Sequence, residues 1–239
     1  MFSKLPTAMR LDALLVALAI TLNAGTASAQ RLAGPRNSAT VPAPVELDAT
    51  GLFLAKYVSV GDDIFIGGQP TERALRGLKA KGITVVVNLR TPDEMTRLVR
   101  YDEEALVREL GMKYVYLPMR ATTEFPYSPE ALKTFAETME TADGKVLLHC
   151  TIAWRASHLW AAYLIEYRKV PVIDALAHAR AINLMDDHRM DGDQQPIDGF
   201  LGRRLPEVGR PPGNPKPGPG RSASDRPPSE PDPPRRPRA

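Results

Sequence analysis

This chain of 239 residues is nearly without cysteine, and Cys150 is the single one. An intramolecular disulfide needs a pair, so no staple holds this fold, and the lone thiol is a small buried hydrophobe, an intermolecular pairing partner or a reactive group. Aromatic residues make up only 6%. No basic stripe with interleaved aromatics occurs, so a nucleic-acid partner is not expected. Long apolar runs are missing as well. The stretch from Leu11 to Leu22 is broken by Asp12 and Thr21 and is too short to cross a bilayer. Nor does one sign of charge prevail, since 31 Lys and Arg face 28 Asp and Glu, a net +3. No internal repeat is visible.

What is present is unevenly distributed. Lys4 and Arg10, the apolar stretch, and Ala27-Ser28-Ala29 before Gln30 predict a signal peptide over residues 1–29, and hence export with no transmembrane span after cleavage. Residues 30–52 are rich in Pro, Ala, Ser and Thr and read as a linker. Residues 206–239 hold 12 of the 23 prolines and almost no large apolar side chain. Such a segment cannot offset its ordering entropy, so a disordered tail is predicted there. The net positive charge sits in this tail, which is either solvated or touches an anionic surface. Between linker and tail, residues 53–205 are enough for one domain with a real core.

Within that domain, the run Ile83-Thr-Val-Val-Val-Asn-Leu89 reads as a buried parallel strand. Ala55 to Val60, Ile64 to Ile66, Tyr114 to Leu117 and Lys145 to His149 supply further strands. Helices are expected after Thr71, over Tyr101 to Leu110, after the Ser128-Pro129 start, from the Cys150 loop to about Tyr167, and over Ile173 to Asn183. The alternation predicts an α/β domain with a mostly parallel central sheet. In such sheets ligands bind beyond the C-terminal strand ends. Three segments lie there: Arg90 to Glu94, Met119 to Ser128, and Cys150 to Arg155.

The third segment carries chemistry. In Val146-Leu-Leu-His-Cys-Thr-Ile-Ala-Trp-Arg-Ala-Ser157 a strand ends at His149-Cys150, four residues separate Cys150 from Arg155, and a helix begins. Loop amides and a helix N-terminus suit an anion, Arg155 would clamp it, and the same positive field favours a thiolate nucleophile. Asp186, Asp187, His188, Asp191 and Asp193 form an acidic cluster without an ordered calcium-loop pattern, and it reads as a solvated turn. No metal site and no cofactor is predicted.

Gly67-Gly-Gln-Pro-Thr71, Val87-Asn-Leu-Arg90 and Leu148-His-Cys-x4-Arg155 occur in one order. Together they resemble the bacterial beta-lactamase-hydrolase-like, phosphatase-like domain family of the protein-tyrosine and dual-specificity phosphatase superfamily. The likeness covers roughly residues 55–185. It implies a cysteine-phosphatase-like three-layer fold and a phosphorylated small molecule or phosphoprotein as partner. It also implies hydrolysis through a phosphocysteine, without a cofactor, and with the signal segment it points to the bacterial periplasm. Cys150 and Arg155 would be catalytic. Thr151, Ile152, Ala153, Trp154 and Arg155 would cradle the anion, with Arg90 adding positive potential; His149 would either hydrogen-bond the loop and tune the thiolate or be a satisfied core histidine at the strand end. The superfamily usually presents an Asp as general acid, and the 119–128 loop offers only Glu124, with Asp93 as competitor. The superfamily spaces cysteine and arginine by five residues. The four seen here match this family and also rhodanese-type loops that carry a persulfide, so sulfur transfer is a second reading. Where the family's loop has glycine this chain has Ala153, followed by Trp154. Ala156 stands where phosphatases often carry Ser or Thr. A weakly active phosphatase-like protein that binds an anion or partner is the third reading.

Overall fold

The computed structural model describes residues 41–185 and 195–205. The expected signal segment, residues 30–40 of the expected linker, the acidic cluster and the expected tail lie outside the described residues. In chain order the elements are β1 (Pro44–Glu46), β2 (Tyr57–Val60), β3 (Ile64–Gly67), α1 (Glu72–Ala80), β4 (Ile83–Asn88), α2 (Pro92–Leu98) and α3 (Glu103–Glu109). They continue with β5 (Lys113–Tyr116), α4 (Pro129–Thr141), β6 (Lys145–His149), α5 (Trp154–Glu166), α6 (Val172–Ile182) and α7 (Pro196–Leu201). Among the described residues, no helix is long and apolar enough to cross a membrane.

The six strands form one sheet in the order β1-β2-β3-β6-β4-β5. β2 runs antiparallel to both β1 and β3, and β3, β6, β4 and β5 run parallel. The central strand β6 is apolar on both faces, as a doubly covered strand must be. Val146 and Leu148 join a core with α4, α5, α6 and α7, whereas Leu147 joins a core with α1 and α3. The result is the three-layer α/β arrangement with helices on both faces of the sheet.

Register positions the functional end. Gly67 pairs with His149, His149 with Asn88, and Asn88 with Tyr116. The last residues of four strands therefore stand in one row. Segments separated by tens of residues in sequence leave the sheet side by side. Gly68 continues past β3 and bridges Ile152, while Gln69 N–H donates to the Thr151 carbonyl at 3.0 Å. A Cβ on Gly68 would lie 1.6 Å from the Leu54 carbonyl oxygen, so only glycine allows this approach.

Three elements differ from the sequence expectation. β1 lies inside the expected linker and pairs with β2 through Pro44↔Val60 to Glu46↔Val58. Residues 91–94, expected as a loop at a strand end, begin helix α2 with a Thr91–Glu94 capping box. α7 was not anticipated, and it packs Ile197 and Phe200 into the α5 side of the core.

Candidate active site

Cys150 follows β6 directly and is buried. The chain then turns through Thr151, Ile152 and Ala153 into α5. Ala153 adopts φ 67°, the left-handed conformation, which is where glycine would be at ease and an L-residue is strained. Helices α1 to α4 each carry a side chain that caps their first turn. The 13-residue helix α5 has none. Its first intrahelical bond runs from Ser157 N–H to the Ala153 carbonyl at 2.9 Å, so the amides of Arg155 and Ala156 precede the helical ladder. The positive end of α5 is thus left open beside Cys150.

Arg155 is held from several sides. Its Nη1 donates to the carbonyls of Leu89 at 3.1 Å and Met119 at 2.8 Å, and to Glu94 Oε2 at 2.9 Å. Its Nη2 donates to Glu94 Oε1 at 2.7 Å and to the Thr151 hydroxyl at 3.2 Å. The Glu94 pairing is the bidentate fork geometry that fixes a guanidinium plane. It occupies the Nη edge and leaves Nε–H to be offered elsewhere. Burial works to raise the Glu94 carboxyl. The hydrogen bonds from Arg155 and Thr91 and the Arg155 charge outweigh it and hold the carboxyl at about 2. Burial likewise opposes the Arg155 charge, but Cys150, Glu94 and Tyr127 hold the guanidinium above its ordinary value.

On the other face of the sheet lies a second buried network. His149 Nε2 meets Glu103 Oε1 at 3.0 Å, with both side chains fully buried. Glu103 also accepts from Asn88 Nδ2 at 3.0 Å and from Gln69 Nε2 at 2.5 Å. Gln69 Oε1 in turn accepts from Arg90 Nη1 at 2.6 Å. Burial would raise the Glu103 carboxyl, yet His149 and the hydrogen-bond donors around it bring it below its ordinary value. One carboxylate thus ties the Gly-Gln-Pro-Thr, Asn-Leu-Arg and His-Cys segments together.

The expected site residues fall into groups. Cys150, Thr151, Ile152, Ala153, Trp154 and Arg155 form the strand-to-helix turn. Trp154 lies edge-on to His158, with ring centroids 4.8 Å apart, so its ring runs along α5. Ser157 donates to the Trp154 carbonyl at 2.7 Å. His149 turns to Glu103 on the opposite face. Arg90 is almost fully buried and reaches the Glu94 backbone carbonyl at 3.1 Å and Gln69, so it pairs with neither the Glu94 nor the Asp93 carboxylate. Asp93 is exposed and ion-paired with Arg97 at 3.0 Å, directed to solvent. Glu124 is exposed in the 119–128 loop. Sequence reading missed Glu94 as the brace of Arg155 and Glu103 as the partner of His149. It also missed Tyr127, half-buried and pushed up to about 12 by burial, with opposing and reinforcing charges from Arg155 and Cys150. The signal for Glu94 was present as Thr91-Pro-Asp-Glu94, a capping-box spacing. Nothing local in the sequence marks Glu103.

A strand-end cysteine, an arginine four residues on and an open helix start, all on a mostly parallel sheet, define the cysteine-phosphatase class of α/β fold. Residues 58–195 match the family model described as DSP-PTPase phosphatase fused to NAD+ kinase, and the chain belongs to that family. It is similar to the beta-lactamase hydrolase-like protein of Xylella fastidiosa strain Temecula1, 29% identical over 132 residues, which cover 54% of this chain and 30% of that protein. The chain therefore matches less than a third of the length of that curated relative. Among solved structures, a mutant form of Tk-PTP superposes with a TM-score of 0.50 at 19% identity, covering 61% of this chain and 94% of that one. The DUF442 protein of Shewanella putrefaciens CN-32 gives 0.48 at 25% identity, covering 64% and 92%.

Proposed function

We propose that the protein is an exported phosphomonoester hydrolase, with phosphotyrosine among its substrates, and that Cys150 is its nucleophile. The observation that carries this reading is the junction of Cys150 with an uncapped α5 and an Arg155 whose Nη edge is already braced by Glu94. Such an arginine is pre-oriented to offer its remaining Nε–H to a phosphoryl oxygen. The Cys150 sulfur attacks phosphorus, an S–P bond forms and the P–O bond to the leaving group breaks. The departing oxygen takes a proton, and Glu124, the acidic side chain of the 119–128 loop, is assigned that step. Water then cleaves the S–P bond and releases phosphate. The α5 amides and Arg155 carry the charge of the transferring group throughout.

The test is hydrolysis of p-nitrophenyl phosphate by reduced protein. Cys150→Ser and Arg155→Ala should each lower turnover by about a thousandfold. Glu124→Gln should lower it by about a hundredfold. A melting temperature indifferent to phosphate and vanadate would sink even the anion-binding part of the proposal.

A further inference from the structure

A cleft of about 690 Å³ opens on the far side of α2 from Arg155, within the size range of ligand pockets. Pro92, Met95, Thr96 and Val99 line it. Their spacing of i, i+3, i+4 and i+7 is a single helical face, while Glu94 leaves the same helix toward Arg155. Opposite stand Tyr101, Tyr114 and Tyr116, with the last two stacked at 6.0 Å and 17°. Two of the three hydroxyls are engaged inward. Tyr101 donates to the Pro70 carbonyl at 2.8 Å, and Tyr114 accepts from Asn88 at 2.8 Å. The cleft therefore meets ring surface more than hydroxyl. The charged lining is Asp102, Glu103 and Glu104 against Arg100, with the Glu103 carboxylate turned to His149 and Glu104 paired with Arg108 at 2.6 Å. Beside burial, the charges of Glu94, Glu103 and Glu104 act to raise the Tyr116 hydroxyl and Arg90 acts to lower it, so a net negative field reaches its ring. Electron-rich ring faces under a negative field attract an organic cation.

We propose that this cleft is a second binding site, which takes the guanidinium or ammonium side chain of a basic residue in a phosphorylated peptide. The placement rests on the phosphatase reading above. One helix, about 10 Å across with its side chains, separates the cleft from Arg155. An extended peptide covers that distance in about three residues, so the basic residue stands some three positions from the phosphorylated one.

The full chain is titrated with agmatine, a cation, and with glutarate, an anion, by calorimetry and by backbone amide shifts. Agmatine should bind saturably, moving amides of residues 92–104 and 114–116, with equal affinity in Cys150→Ser. Tyr116→Ala and Glu104→Gln, both at exposed positions, should each weaken it by about tenfold, and Arg100→Ala should strengthen it. Absence of agmatine binding, or glutarate binding that Arg100→Ala abolishes, overturns the proposal. Phosphotyrosine peptides with arginine three residues away should then show a lower KM than their alanine counterparts, and Tyr116→Ala should erase the difference. Equal KM values would overturn the peptide assignment. Agmatine binding without hydrolysis of any peptide would leave the cation site standing and sink the phosphatase reading alone.

Discussion

Ala153 holds a conformation that costs an L-residue about 1–2 kcal/mol, at the position where the loop turns into α5. Glycine there removes that cost and loses one buried methyl, worth about 0.8 kcal/mol. Ala153→Gly should therefore leave stability unchanged or raise it by up to about 1 kcal/mol, read by urea unfolding. A clear loss would show that the methyl packing outweighs the strain. Glu94 behaves in the opposite sense. Its pair with Arg155 is mostly buried, with side chains 12% and 8% exposed. Removing one partner strands the other charge, at a cost of about 3–5 kcal/mol. Glu94→Ala should lower the melting temperature sharply and, by freeing the Arg155 plane, should also impair phosphate binding. A variant as stable as the parent would contradict the brace assigned to this residue.

Elements show where sequence signals are strong and where they fade. β6 runs from Lys145 to His149, as its apolar run implies, because both faces of a central strand must be buried. α4 begins after Ser128 as its Ser-Pro start implies. α2 has no buried residue, so no apolar periodicity announces it, and only the capping box does. β1 is a three-residue edge strand with one half-buried residue, too short for an alternation to stand out against its Pro- and Ala-rich surroundings. The two glycines after β3 were legible as a motif, but not their reason. Gly68 lies against the Leu54 backbone, and the close approach exists only once the chain is folded. Gly68→Ala should destabilise by more than about 3 kcal/mol and uncouple the Gly-Gln-Pro-Thr segment from the Cys150 loop. Hydrogen exchange of Gln69 N–H, bonded to Thr151, would report that uncoupling, and full protection in the variant would refute it.

Across the molecule, the buried ionisable groups predict acid lability. Desolvation holds His158 neutral in the folded chain, at about 3 against an ordinary 6.5. Neither of its ring nitrogens has a hydrogen-bond partner among the described residues. Between those values the unfolded chain binds the extra proton, so stability is full above about pH 6.5 and falls as pH drops toward 3. The slope approaches about 1.4 kcal/mol per pH unit for one proton. Glu94, held at about 2 against 4.5, adds a loss in the same direction below pH 4.5. His158→Leu should remove the upper part of this decline and leave the lower, as followed by denaturant midpoints from pH 7 to 2.5. An unchanged profile would contradict the assignment. At this scale the sequence disclosed the α/β class, the sheet direction and the Cys150 loop, since each rests on local pattern. The capping-box spacing marks Glu94, but its pairing with Arg155 and that of Glu103 with His149 were not legible, because both partners are acquired through strand register and helix docking. If Cys150 is the nucleophile, its sulfur accepts a phosphoryl group. The most direct measurement is the intact mass of the full chain, acid-quenched within milliseconds of mixing with p-nitrophenyl phosphate and, separately, with thiosulfate. One phosphoryl group should appear on Cys150 from the first reagent, none in Cys150→Ser, and no added sulfur from the second. An unmodified Cys150 with no nitrophenolate released, or a sulfur adduct in place of the phosphoryl one, would contradict it.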